Sequence, residues 1–150
     1  IEDKSDRLLA ELALHNLDLV LTDSQVTTTS VKVKAYNHLL GECGVVVMAA
    51  PSLAKKLRDH FPQSLTGAPF LIPTENTALR RSLDEWFAAR SVHPLIRGEF
   101  ADSALEKVFG AGGIGAFVVP AVIEKEVKEQ YGVQTVGTLD GITERFYAVT

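Results

Sequence analysis

The apolar positions of this chain switch repeatedly between a helical and an extended spacing. Across residues 2–16, Leu8, Leu9, Leu12 and Ala13 recur at helical intervals with Asp6, Arg7 and Glu11 between them, which predicts an amphipathic helix. Leu17, Leu19, Val20 and Leu21 then make an apolar run of strand length that ends in Thr22, Asp23, Ser24 and Gln25, so a helix feeds a buried strand. Residues 26–34 are rich in Thr and Val, with Val31 and Val33 alternating against lysines, as in an extended segment with one wet face. Gly41, Glu42, Cys43 and Gly44 lead into Val45, Val46, Val47 and Met48, a further strand. Pro51 suits the first turn of a helix whose stripe is Leu53, Leu57 and Phe61, and Pro62 stops it.

The second half repeats the alternation. Pro69 opens a strand at Phe70, Leu71 and Ile72; Thr74, Glu75, Asn76 and Thr77 follow, with Asn76 as the expected N-cap of a helix carrying Leu79, Leu83, Trp86 and Phe87. His93-Pro94 breaks the chain before a strand over residues 95–100, and Ser103 to Glu106 has the spacing of a capping box ahead of a short helix that dissolves near Gly110. Residues 116–119 read as a strand and Pro120 as the start of a helix through Gln130, supported by a Glu124–Lys128 pair and closed by Gly132. Residues 133–139 and 142–149 are extended and separated by Asp140-Gly141, a hairpin signal. Strands alternating with helices select an α/β layered fold with mostly parallel sheet.

Composition narrows the class. The 150 residues, 46% hydrophobic and 23% charged, suit one globular domain. A mean hydropathy of +0.11 and short apolar runs exclude a membrane span. With one cysteine, Cys43, no disulfide can form within the chain, and no basic, apolar leader is visible, so a cytoplasmic setting is expected. The net charge of −4 gives no electrostatic footprint for nucleic acid. Met48 is the sole methionine, so Ile1 is not a translational start and the chain reads as a piece of something longer.

Catalytic patterns are absent. Gly110, Gly112 and Gly115 spell G-x-G-x-x-G, yet a dinucleotide turn needs a strand before the glycines and a helix after them, and here the order is reversed. A helix stop and close helix–strand packing explain the glycines instead. His15, His38, His60 and His93 share no metal-ligand spacing, Cys43 reads as a small buried thiol, and no G-x-S-x-G elbow occurs. Neither catalytic residue, metal nor cofactor is expected. The polar clusters after the strands, Asp23-Ser24, residues 74–77 and Asp102-Ser103, are different: ligands of open α/β sheets bind outside the carboxyl ends of strands, and the same residue types cap helices. Trp86 and Phe87 fit either core or a subunit contact.

The order of these elements resembles the effector-sensing domain of LysR-type transcriptional regulators. Residues 17–21 are similar to the family's leucine-aspartate-leucine strand, residues 73–81 to its ligand loop and helix, and residues 112–120 to its glycine-rich turn, strand and proline. Residues 40–45, Trp86-Phe87 and residues 98–100 are most similar to a branch that activates a sodium/proton antiporter gene. The resemblance implies a periplasmic-binding-protein-like (type II) two-lobed α/β fold with mixed, mostly parallel sheets. Residues 1–42 and 143–150 would form an incomplete first lobe and residues 43–142 the second, with crossover strands near residues 41–47 and 141–149. It implies a small-molecule or ion effector in the inter-lobe cleft, bounded by Asp23, Ser24, Thr74, Glu75, Asn76, Thr77, Asp102 and the Gly113-Ile114 backbone. It also implies a homo-oligomer, dimer or tetramer, touching through Leu79, Leu83, Trp86, Phe87 and Ile96, and DNA contact only through an N-terminal helix-turn-helix absent from this sequence. The competing expectations are a solute-binding protein of a transporter with the same fold, and a nucleotide-using α/β enzyme.

Overall fold

Two strands longer than the patterning suggests run through the chain: β2 (Asn37–Ala49) and β6 (Gln134–Val149). The computed structural model describes residues 1–27 and 34–150, which divide into two compact units, Ile1–Glu42 with Glu144–Thr150 and Cys43–Thr143. Each long strand contributes residues to both units. The extended run expected over residues 26–34 falls mostly on residues 28–33, outside the described residues.

In the first unit, α1 (Ser5–Ala13) lays Leu8, Leu9 and Leu12 against Val20 and Val149. The strand that follows is only β1 (Val20–Thr22), antiparallel to the end of β6 from Val20↔Val149 to Thr22↔Tyr147. Leu17 packs into the same small core ahead of it, whereas Leu19 and Leu21 stay exposed, so the five-residue strand expected there is cut short.

In the second unit, β3 (Pro69–Pro73) and β4 (Leu95–Phe100) pair in parallel, and a Phe70↔Ala116 bridge sets β5 (Phe117–Pro120) alongside β3 in the same direction. β5 is antiparallel to β2, from Val45↔Pro120 to Met48↔Phe117. The sheets are therefore mixed: parallel pairing belongs to the β–α–β part, and the antiparallel pairs β1–β6 and β2–β5 each use a long strand. Around the sheet stand α2 (Pro51–Arg58), α3 (Ala78–Arg90), α4 (Ser103–Ala111) and α5 (Glu124–Tyr131). Successive β2 side chains part to opposite faces. Val45, Val47 and Ala49 join Leu57, Phe70, Ile72, Leu83, Trp86 and Phe87, while Val46 and Met48 join Leu71, Phe117, Val119, Val127 and Val133. Burial on both faces is why residues 45–48 are apolar without alternation, each such side chain adding roughly 1.5–3 kcal/mol.

Several local expectations are overturned. Asp140-Gly141 is no hairpin: the two extended runs are the single strand β6, and only Gly141 takes a positive φ (95°), whereas a type I′ turn needs it at both residues. The Asp140 carbonyl instead accepts the Trp86 indole N–H at 2.8 Å and the Arg90 guanidinium at 3.1 Å. Arg90 also lies 4.1 Å over the Trp86 ring. Leu83, Trp86 and Phe87, expected at a subunit contact, are buried in the chain's own core, where Phe87 meets the Phe70 ring edge-on at 5.6 Å, and Leu79 packs partly buried against it. Of that set, Ile96 remains at the surface. The N-cap of α3 is Thr77 rather than Asn76, and that of α4 is Asp102 rather than Ser103. Glu106 therefore does not close a capping box; it is buried.

The glycine string lies between α4 and β5, helix first, as its order requires. A Cβ at Gly110 would overlap the Phe117 ring, and one at Gly115 would press on the Pro69 carbonyl at 3.0 Å. Gly110→Ala is expected to destabilise the protein in urea unfolding by about 1–3 kcal/mol through overpacking, despite the better helix propensity of alanine. Gly112→Ala, where a Cβ meets nothing closer than 3.4 Å, should stay within about 0.5 kcal/mol of the parent.

Candidate functional site

Because β3, β4 and β5 run the same way, their carboxyl ends share one edge of the second unit. The Thr74 N–H donates to the Phe100 carbonyl at 3.1 Å and ties the first two ends together. Residues 74–77 fold on themselves there: the Thr74 hydroxyl donates to Asn76 Oδ1 at 2.9 Å, the Thr77 hydroxyl donates to the Thr74 carbonyl at 3.0 Å, and the Arg80 N–H donates to Thr77 Oγ1 at 3.2 Å. Glu75 and Asn76 are left exposed. After β4, Asp102 Oδ1 accepts the N–H groups of Ala104 at 2.8 Å and Leu105 at 3.4 Å, a true helix cap.

Arg80, which the sequence pattern did not single out, is the strut of this edge. Its side chain is only 11% exposed. Nε donates to both Asp84 oxygens at 3.1 Å, and Nη1 donates to the Pro73 carbonyl at 2.9 Å and Glu99 Oε1 at 3.2 Å. Burial acts to lower its pKa, but the hydrogen bonds and charges of Asp84 and Glu99 outweigh burial and raise it. The i, i+4 spacing to Asp84 on α3 was the available signal; Pro73 and Glu99 come from the strands β3 and β4.

Other expected residues do not join this edge. Gly113 and Ile114 precede β5, and the Ala116 N–H donates to the Pro69 carbonyl at 2.9 Å, so they lie beyond the opposite, amino end of β3. The length of β3 puts that end roughly 13 Å from Pro73. Strand direction decides it: a loop before a parallel strand cannot sit with the loops after its neighbours. Asp23 and Ser24 belong to the first unit, where the Ser24 N–H donates to Thr22 Oγ1 at 3.3 Å. That unit holds a separate open hollow of about 460 Å³ lined by Leu12, Ala13, His15, Leu17, Asp18, Lys34 and Thr150, and no expected ligand residue lines it.

Among the described residues, no group of three His, Cys, Asp or Glu side chains is placed to hold a metal ion. Cys43 is half-buried. Ser52 and Lys55 satisfy S-x-x-K as a string, but both are exposed on the first turns of α2. No helix among the described residues is long and apolar enough to cross a membrane. Arg80→Lys is expected to cost about 1–3 kcal/mol in urea unfolding, because an ammonium lacks the fork that reaches two carboxylates and a carbonyl together. A change below about 0.5 kcal/mol would remove the strut role.

Comparison with known proteins places this geometry. The LysR substrate binding domain matches residues 1–150. The transcriptional activator protein NhaR of Escherichia coli (strain K12) is 30% identical over 148 residues, 99% of this chain and 48% of that protein. The chain thus spans about half the length of the curated relatives it matches. In fold it is similar to the bromide-bound regulatory domain of HypT from Salmonella typhimurium, with TM-score 0.74 and 14% identity, covering 98% of this chain and 69% of that one. It is also similar to the effector binding domain of QuiR in complex with shikimate, with TM-score 0.69 and 13% identity, covering 99% of this chain and 68% of that one. The α/β fold with mixed sheets is that of type II periplasmic-binding-protein-like regulatory domains, and the family is one of transcriptional regulator domains rather than enzymes. The chain belongs to the LysR substrate-binding domain family.

Proposed function

We propose that this chain is the effector-sensing part of a transcriptional regulator and catalyses nothing itself. The family match along its whole length carries the reading. A small polar effector binds at the carboxyl ends of β3 and β4, where Glu75, Asn76, Asp102 and Ser103 stand over a loop braced by Arg80. Occupancy shifts a dimer or tetramer between arrangements and so reaches a DNA-binding segment of the full protein. The two compact units are the two lobes of the domain, and the setting is the cytoplasm. The likeness to an activator extends the reading to transcriptional activation, with a sodium/proton antiporter gene as its target. The bromide and shikimate complexes of structural neighbours support small ligands as the class of effector.

Thermal-shift and calorimetric titration of the full protein against sodium, lithium and a panel of small polar metabolites tests this. A ligand present at a hundred times its Kd should add about 2.7 kcal/mol of stability. Glu75→Gln and Asp102→Asn, the latter an equally good cap, should weaken that ligand tenfold or more while moving unliganded stability by less than about 0.5 kcal/mol. A flat response across the panel overturns the sensing claim. A response untouched by these variants but lost in Lys34→Gln moves the site to the hollow of the first unit.

A further inference from the structure

Glu106 is a charged residue type where the fold has no use for charge. It is 4% exposed, and its Oε1 has no hydrogen-bond partner. Glu106 and Gly110 are the buried positions of α4, and Gly110 lies on the Phe117 ring. Four residues of helix and two of strand cover nearly the same length, about 6 Å, so Glu106 lies over the stretch of β5 near Val119. The apolar cluster on this side of the sheet holds Leu71, Phe117 and Val119, with Phe100 and Ala111 of α4 packed against it.

No charge on the neighbouring elements answers it. β3 and β5 carry no ionisable side chain. On β4, Phe100 turns toward α4, where its ring lies 5.5 Å from that of Phe109, so Glu99 is on the other face and is held by Arg80, while Arg97, the extra residue at a register shift opposite Phe70 and Leu71, is exposed. On α5, Glu124 is paired with Lys128 at 3.5 Å and accepts the Thr135 hydroxyl, and Lys125, Glu126 and Glu129 are exposed. Val127 and Tyr131 are the α5 side chains that enter the cluster, and Tyr131 is the titratable one. On α4 itself, Lys107 donates to the Ser103 carbonyl at 3.2 Å. Burial pushes the Glu106 carboxyl up to about 8, with Lys107 opposing.

We infer that Glu106 is a protonation latch on α4: as the neutral acid it lets the helix seat on the sheet, and once ionised it draws the first turns of α4 toward water, loosening the segment that begins at Asp102. The folded chain keeps a proton that the unfolded chain has already shed. The stabilisation is therefore complete below the unfolded value of 4.5 and is lost as pH rises to about 8, beyond which it changes no further. Across that window the folding equilibrium constant falls by up to tenfold per pH unit.

Carboxyl-carbon NMR of glutamate-labelled protein, urea unfolding from about pH 5 to 9.5, and amide exchange test the latch against Glu106→Gln and Glu106→Leu. The Glu106 carboxyl should titrate near 8 in the parent. Parent stability should fall relative to both variants up to that pH and run parallel to them above it. The exchange rate of amides of residues 103–111 in the parent, divided by that in Glu106→Gln, should rise steadily as pH goes from about 5 to 8 and level off above it. A Glu106 carboxyl that titrates below pH 6, or a parent and variants with one common pH dependence, overturns the inference. The NMR titration uses the unmodified protein, so it decides even where a variant fails to fold.

Discussion

Burial of β2 on both faces governs the second unit. From Val45 to Ala49 each side chain enters one apolar cluster or the other, and each is at most 4% exposed. A strand in that position must be covered on both sides, which the α2 and α3 side chains Ala54, Leu57, Leu83, Trp86 and Phe87 do on one face and α4 and α5 do on the other. β4 is an edge strand exposed along most of its length, but β3 and β5, with both faces occupied, reach water only at their ends. The polar residues gather there: residues 74–77 after β3, and Asp102 and Ser103 after β4. The location of the candidate site is a consequence of where the core leaves room.

The same covering sets the terms for α4. Gly110 has no side chain because Phe117 occupies that space, and Gly115 keeps none because the Pro69 backbone is close. Such tight seating brings the next buried position of the helix, Glu106, down onto the sheet. The clash that excludes alanine at Gly110 and the desolvation of Glu106 are two results of one contact. Arg80 meets comparable burial in the opposite way, with hydrogen bonds to Asp84, Glu99 and the Pro73 carbonyl that keep its charge. A guanidinium can be satisfied by such a set because its donors fork in a plane; the Glu106 carboxyl, facing apolar side chains, sheds its charge instead.

Where a residue's fate is decided by near neighbours in sequence, the pattern is informative. The expected strand over residues 95–100 is β4, and Gly132 closes α5 with φ 67°. Where partners are distant, the pattern misleads. Asp140-Gly141 carries a genuine turn signal, but Trp86 and Arg90, more than 40 residues earlier in the chain, hold the Asp140 carbonyl in a continuous strand. The spacing from Ser103 to Glu106 reads as a capping box, since no rule of spacing shows a glycine letting the helix sink. The family resemblance groups Gly113 and Ile114 with Asp102, yet a helix and a reversal of direction separate them; only the β3–β5 alignment reveals it. The helical stripe of Leu83, Trp86 and Phe87 was legible as apolar, but composition does not distinguish a surface kept for a partner from one consumed within the chain.

The bonding state of the strand-end residues narrows what the proposed site can recognise. The Thr74 and Thr77 hydroxyls spend their protons on Asn76 and on the Thr74 carbonyl, so neither donates outward. Asp102 Oδ1 is held by two helix amides, and the Arg80 guanidinium is spent on Asp84, Glu99 and the Pro73 carbonyl. The groups left facing water are chiefly acceptors: the Glu75 carboxylate and the second oxygen of Asp102, with the Asn76 amide nitrogen and Ser103 hydroxyl as the donors. An effector fitted to this edge presents more donors than acceptors, as an amine, a polyol or a hydrated cation does. A multiply charged anion would find the Arg80 fork already engaged, and two carboxylates in its path.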